Sequence, residues 1–172
     1  HYGIIIESEE EMAQRIGGAV CEDCYGVNRK FDVDNLLRTS VFQYMIGNTD
    51  WSIAQQKNIK VLSADQSNVF HLVTYDFDFS AVVDAPYYVP AQELGLSYRE
   101  RYYKGLACTE EQMIATLQYF KSVEEIILNT VKEHPFLSRS SKIDIQRYLG
   151  AFFKQIDHRS GHKRIKGLAY IN

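Results

Sequence analysis

The sequence predicts an α+β fold, mainly α-helical, with one or two small sheets. Three observations carry this reading. Apolar residues recur at helical spacing over several stretches, two Ser/Thr-x-x-Glu/Gln signatures mark helix starts, and two short β-type runs flank a turn-like Ser63-Ala-Asp-Gln-Ser67. With 45% hydrophobic and 24% charged residues among 172, the chain can bury a core, and it lacks the composition of disordered or collagen-like proteins. Its 19 Lys and Arg against 22 Asp and Glu leave a formal charge of −3, without the basic surplus that general nucleic-acid affinity requires. The uncharged run Thr39–Thr49 spans 11 residues. That is well short of the ~18 or more needed to cross a bilayer, so no transmembrane segment is expected. No internal repeat or linker interrupts the pattern, and residues 1–172 read as a single domain.

The elements follow in order. Gly3–Glu7 reads as a short strand, and Ser8 with Glu11 forms a capping box for a helix that stops near Gly17-Gly18. Ala19–Arg29 reads as loop. Asp34 is placed to cap a second helix, with Leu36, Leu37, Ser40, Val41, Tyr44 and Met45 at helical spacing and Gly47 as its stop. Asn58–Leu62 and Asn68–Thr74 form a hairpin. It empties into Tyr75-Asp-Phe-Asp-Phe-Ser80 and an irregular stretch to about Leu96, and loops of such length in a compact domain usually carry function. The remainder is helical: a short segment Tyr98–Lys104, a helix capped by Thr109 and Gln112, one from Ser122 to Glu133 stopped by Pro135, and one from about Lys142 to Ile156. The basic tail His158–Lys166 reads as a solvated terminus.

Chemistry concentrates around the hairpin. Asn48-Thr49-Asp50 precedes it, Asn58 opens it, and Tyr75-Asp76-Phe77-Asp78 closes it, so Asp50, Asn58 and Asp76 are candidates to converge. Hard oxygen donors of this kind suit Mg²⁺, which takes one or two carboxylates plus phosphate oxygens and water. A further carboxylate beside the metal can orient or deprotonate a hydroxyl that attacks a γ-phosphate. Several neighbours carry two readings. Trp51 is either a stacking surface for a nucleotide or an anchor for its loop. His71 alternates with its neighbours as a structural strand residue does. Arg99, Arg101 and Lys104 fit a solvated face or a hold on an anionic substrate. Tyr87, Tyr88, Tyr98, Tyr102 and Tyr103 fit packing or a substrate groove. Cys21-x-x-Cys24 and Cys108 are too few for a structural zinc site, which needs four ligands, and read as ordinary thiols or an incidental disulfide.

In these residues the chain resembles the protein-kinase-like superfamily, nearest to its atypical branches: HipA-type kinases, CotH-type spore-coat kinases and type II phosphatidylinositol kinases. The matching positions are Asn48-Thr49-Asp50, then Asn58 at a strand start, a hairpin, and Asp76-Phe77-Asp78. The resemblance implies a kinase-like C-terminal lobe whose small hairpin carries the catalytic and metal loops. It implies Asp50 as catalytic base, Asn58 and Asp76 as metal ligands with Asp78 as a further one, and Mg²⁺ and ATP as cofactors. On the nucleotide side it implies Glu7, at the end of a hinge strand, together with Asn48 and Trp51. Phe79–Leu96 would take the place of the activation segment. Seven residues separate Asp50 from Asn58, more than in typical protein kinases. No counterpart of a glycine-rich loop or a phosphate-binding Lys precedes Gly3. The expectation is therefore an incomplete phosphotransferase, inactive without a missing N-terminal lobe, acting on an unknown acceptor. Two other classes remain open: a pseudokinase or protein-binding module without catalysis, and a carboxylate metallohydrolase built on Asp50, Asp76, Asp78 and His71. The compartment is open.

Overall fold

The computed structural model describes residues 7–21, 30–64 and 69–171. These fall into two compact units, His1–Thr39 with Trp51–Tyr75, and Ser40–Asp50 with Asp76–Asn172. Of the strand expected over Gly3–Glu7, only Glu7 lies within the described residues.

In the first unit, α1 (Glu9–Ile16) opens on the expected capping box. Ser8 Oγ accepts the Glu11 amide at 3.2 Å, and the Glu11 carboxylate accepts the Ser8 amide at 3.4 Å. Gly17, at φ 76°, closes the helix in the left-handed region that favours glycine. Four strands form one mixed sheet: β1 (Gly18–Val20), β2 (Lys30–Phe31), β3 (Ile59–Ala64) and β4 (Val69–Thr74), in the order β1-β3-β4-β2. The expected hairpin is β3–β4, antiparallel with Ile59 opposite Thr74. Gly18–Val20, expected as the helix stop and the start of a loop, is instead a strand antiparallel to β3. Three residues are too few to show a β period, and here pairing with a long neighbour overrides local propensity. Leu36, Trp51, Ile59, Val61, Phe70 and Leu72 make the core of this unit, with Cys21, Phe31 and Ile53 packed against it. Cys21 is disulfide-bonded, as one of its readings allowed.

Beyond the two-residue β2, the outer edge of β4 is completed by a side chain. Asn35 Oδ1 accepts the Leu72 amide at 2.6 Å, and Asn35 Nδ2 donates to the Leu72 carbonyl at 3.2 Å. The amide thus stands in for a neighbouring strand and satisfies two backbone groups that would otherwise lack partners. Asn35→Ala is expected to lower stability by about 1–3 kcal/mol, the usual cost of orphaned polar groups. Urea denaturation checks this, and an unchanged midpoint would rule it out.

Helix α2 (Val33–Ile46) is capped by Asp32, not by the expected Asp34. Phe31 is held in β2, so helical geometry starts immediately afterwards, and Asp32 Oδ1 accepts the Asn35 amide at 2.7 Å. In the second unit, α3 (Glu110–Ser122) has its capping box from Thr109 and Gln112. It is followed by α4 (Glu124–Glu133) and α5 (Arg139–Asp157). Helix α5 starts earlier than the apolar stripe suggests because Ser138 Oγ accepts the Ser141 amide at 3.1 Å. Tyr44, Phe120, Phe152 and Phe153 meet edge to face at 5.1–6.2 Å between ring centres, the arrangement that aromatic quadrupoles favour.

The Tyr98–Lys104 segment is not helical. Arg99 sits at φ 58°, which a right-handed helix excludes. Its side chain and its cationic neighbours reach instead for fixed acceptors elsewhere in the unit. The basic tail is likewise pinned, with His162 Nε2 2.7 Å from Glu110 and Lys166 Nζ 2.7 Å from Glu100. Among the described residues no helix is long and apolar enough to cross a membrane.

Candidate functional site

The acidic residues of the second unit are placed by the end of α2. Gly47, at φ 67°, turns the chain there, and its amide donates to the Tyr44 carbonyl at 3.1 Å. Asn48 follows, fully buried, and its Oδ1 accepts the Asp50 amide at 2.8 Å in a side-chain turn that presents the half-buried Asp50. Two cations hold this loop from outside, and a third is fixed nearby in the chain. The Arg101 guanidinium donates to the Met45 carbonyl at 3.0 Å and to the Tyr148 carbonyl at 2.5 Å, and it lies 3.7 Å from the centre of the Tyr148 ring. Lys104 Nζ donates to the Thr49 carbonyl at 2.7 Å. Arg99 forms a bidentate pair with Asp144 at 3.1 and 2.8 Å. These cations clamp backbone and structural carboxylates, a role their sequence pattern did not reveal.

The second acidic segment is stitched to the first. The Ala81 amide donates to the Gly47 carbonyl at 3.1 Å, the Val82 amide to the Ile46 carbonyl at 3.0 Å, and Ser80 bridges Asn48. The Phe77 ring packs edge-on against Phe42, 5.6 Å between centres. Asp76 stands at φ 55°, a left-handed conformation that Asp tolerates better than most side chains. The Asp78 carboxyl beside it, as a hydrogen-bonding partner, raises the Asp76 pKa from its ordinary value. Partial desolvation and the negative charges of Asp78 and Asp50 push in the same direction, while a backbone hydrogen bond with Asp78 opposes them. The Tyr87 hydroxyl donates to Asp78 Oδ2 at 3.1 Å.

The structure therefore brings Asp50, Asp76 and Asp78 into one electrostatic neighbourhood. Asn58 belongs to the first unit, half-buried at φ 54°, where its carbonyl accepts the Tyr75 amide at 3.2 Å. Of the expected nucleotide contacts, Asn48 is fully buried, and Trp51, at 2% exposure, is core of the first unit. Glu7 is exposed and ion-paired to Arg15 at 2.7 Å.

Among the described residues no group of three or more His, Cys, Asp or Glu side chains is arranged to hold a metal by itself. The chemistry of the donors nevertheless fits Mg²⁺. Two neighbouring carboxylates under the negative charge of a third present the excess of negative potential that a divalent cation relieves, and Mg²⁺ takes its remaining ligands from water and phosphate.

At family level the chain falls among the kinase-like phosphotransferases, on a sequence match. Residues 22–134 match the family model described as CotH kinase protein, and the chain belongs to that family. No curated protein and no solved structure matched.

Proposed function

We propose that the chain supplies the catalytic and metal loops of an ATP- and Mg²⁺-dependent phosphotransferase, with Asp50 as base and Asp76 and Asp78 as the metal-holding carboxylates. The observation that supports this is that the Asp76 and Asp78 carboxyls are neighbours under the charge of Asp50, in a chain of the CotH kinase family. Asp50 accepts the proton of the acceptor hydroxyl at its carboxylate as that oxygen bonds to the γ-phosphorus and the bond to the β,γ-bridging oxygen breaks, releasing ADP. Asn48 holds the Asp50 backbone, and Lys104 and Arg101 keep the loop from relaxing. A bound Mg²⁺ would supply charge neutralisation at the phosphates. The part given to Asn58 rests on the sequence pattern alone, and the reading leaves the acceptor unnamed.

The test uses the full-length protein. Mn²⁺ titration followed by electron paramagnetic resonance is expected to show binding in the wild type and loss of at least about tenfold in affinity in Asp76→Asn, since removing a ligand costs no less than removing an outer partner. Wild-type protein that binds no Mn²⁺, or an Asp76→Asn variant that binds as the wild type does, would overturn the reading in favour of a non-catalytic module.

A further inference from the structure

Tyr87 is more than half exposed, at 58%, yet its hydroxyl reaches Asp78 Oδ2. We propose that Tyr87 is a positioning residue that orients the Asp78 carboxylate for a divalent cation. The proposal rests on the phosphotransferase reading above, and the sequence alone gave Tyr87 only a packing or groove role.

Two features make the contact more than a chance meeting of surface groups. First, the chain on both sides of Tyr87 is fixed. The Asp84 amide donates to the Ser80 carbonyl at 3.1 Å and the Tyr88 amide to the Ala85 carbonyl at 2.8 Å. Asp84 accepts the Tyr98 hydroxyl and lies 3.7 Å from the Arg99 guanidinium, which is itself anchored on Asp144 of α5. The Tyr88 ring packs on Tyr98 at 5.9 Å. Second, the Tyr87 ring rests on Phe79 at 5.6 Å, so the hydroxyl is aimed from a seated ring beside the very segment that carries Asp78.

The physical consequence concerns Asp78. Its terminal torsion is broad, so an unrestrained carboxylate must be ordered when it takes a cation. A donor held on one oxygen removes that freedom beforehand, and outer partners of metal-binding groups typically change metal affinity ten- to hundredfold. Two rival roles are conceivable: the ring merely packs on Phe79, or the hydroxyl is a plug that must leave when the cation arrives.

Tyr87→Phe separates these, because it keeps the ring on Phe79 and removes only the hydroxyl. In a nucleotide-free Mn²⁺ titration of the full-length protein, Tyr87→Phe is expected to bind about tenfold more weakly than the wild type, with an unchanged melting temperature. Equal affinity would overturn the proposal in favour of packing, and tighter binding would overturn it in favour of the plug. Both outcomes leave the phosphotransferase reading standing, provided the wild type binds Mn²⁺ and Asp76→Asn binds it at least about tenfold more weakly. A wild type without Mn²⁺ binding defeats both.

Discussion

Asp50→Asn is expected to slow ADP formation from Mg²⁺-ATP by ~10²- to 10⁴-fold, the range that positioned acid–base groups contribute. The substitution is close to isosteric, and the hydrogen bond that shapes the loop comes from the Asp50 backbone amide to Asn48 Oδ1, which the variant retains. Loop geometry and melting temperature should therefore change little, and the loss should fall on kcat. A second readout follows from electrostatics. The charge of Asp50 helps to raise the Asp76 pKa, so its removal lets Asp76 ionise at lower pH. Mn²⁺ binding, which requires the ionised carboxylate, should then persist to lower pH in Asp50→Asn than in the wild type. Unchanged ADP formation would remove Asp50 from the base role, whatever the metal data show.

Gly47→Ala is expected to be the most damaging single substitution for stability among the variants considered. At φ 67° a Cβ is strained, at roughly 1–2 kcal/mol for a left-handed residue. Here the new atom would also lie 2.1 Å from Tyr148 Oη and 2.7 Å from the Ala81 Cβ. Tyr148 has little room to yield: its hydroxyl donates to the Arg99 carbonyl at 3.2 Å, and Arg101 lies over its ring. Overpacking of this kind adds about 1–3 kcal/mol. A total near 3 kcal/mol corresponds to a fall in melting temperature of about 6–12 °C for a protein of this size, measurable by calorimetry. Because the Gly47 carbonyl also accepts the Ala81 amide, the same change should spread the Asp50 loop from the Asp76–Asp78 segment and weaken Mn²⁺ binding. A variant that melts with the wild type would show that Tyr148 can move aside.

What could be read from the sequence were features encoded within a few residues. Ser8 with Glu11 and Thr109 with Gln112 specify their own helix starts, because a capping box is a local exchange of hydrogen bonds. The β3–β4 hairpin and the Gly47 stop are legible for the same reason. The acidic positions Asp50, Asp76 and Asp78 could be singled out from their order along the chain, and the CotH kinase family that the order resembles is one whose model matches residues 22–134. Elements that depend on distant partners were not legible. The strand Gly18–Val20 exists only because β3 offers an edge, Asp32 becomes the cap because Phe31 is paired elsewhere, and Arg99 leaves the helical region to reach Asp144 and Asp84.

The same division holds at the candidate site. The sequence by itself determined which residue types are present and in what order, since hard oxygen donors and turn-forming Asx residues carry their chemistry wherever they sit. Only the tertiary structure decided which of them are available. Asn48 and Trp51 are buried, Asp76 and Asp78 are electrostatic neighbours, and a tyrosine nine residues downstream is brought onto Asp78. Burial and proximity arise from packing between segments far apart in the chain, and no local pattern of residues encodes them.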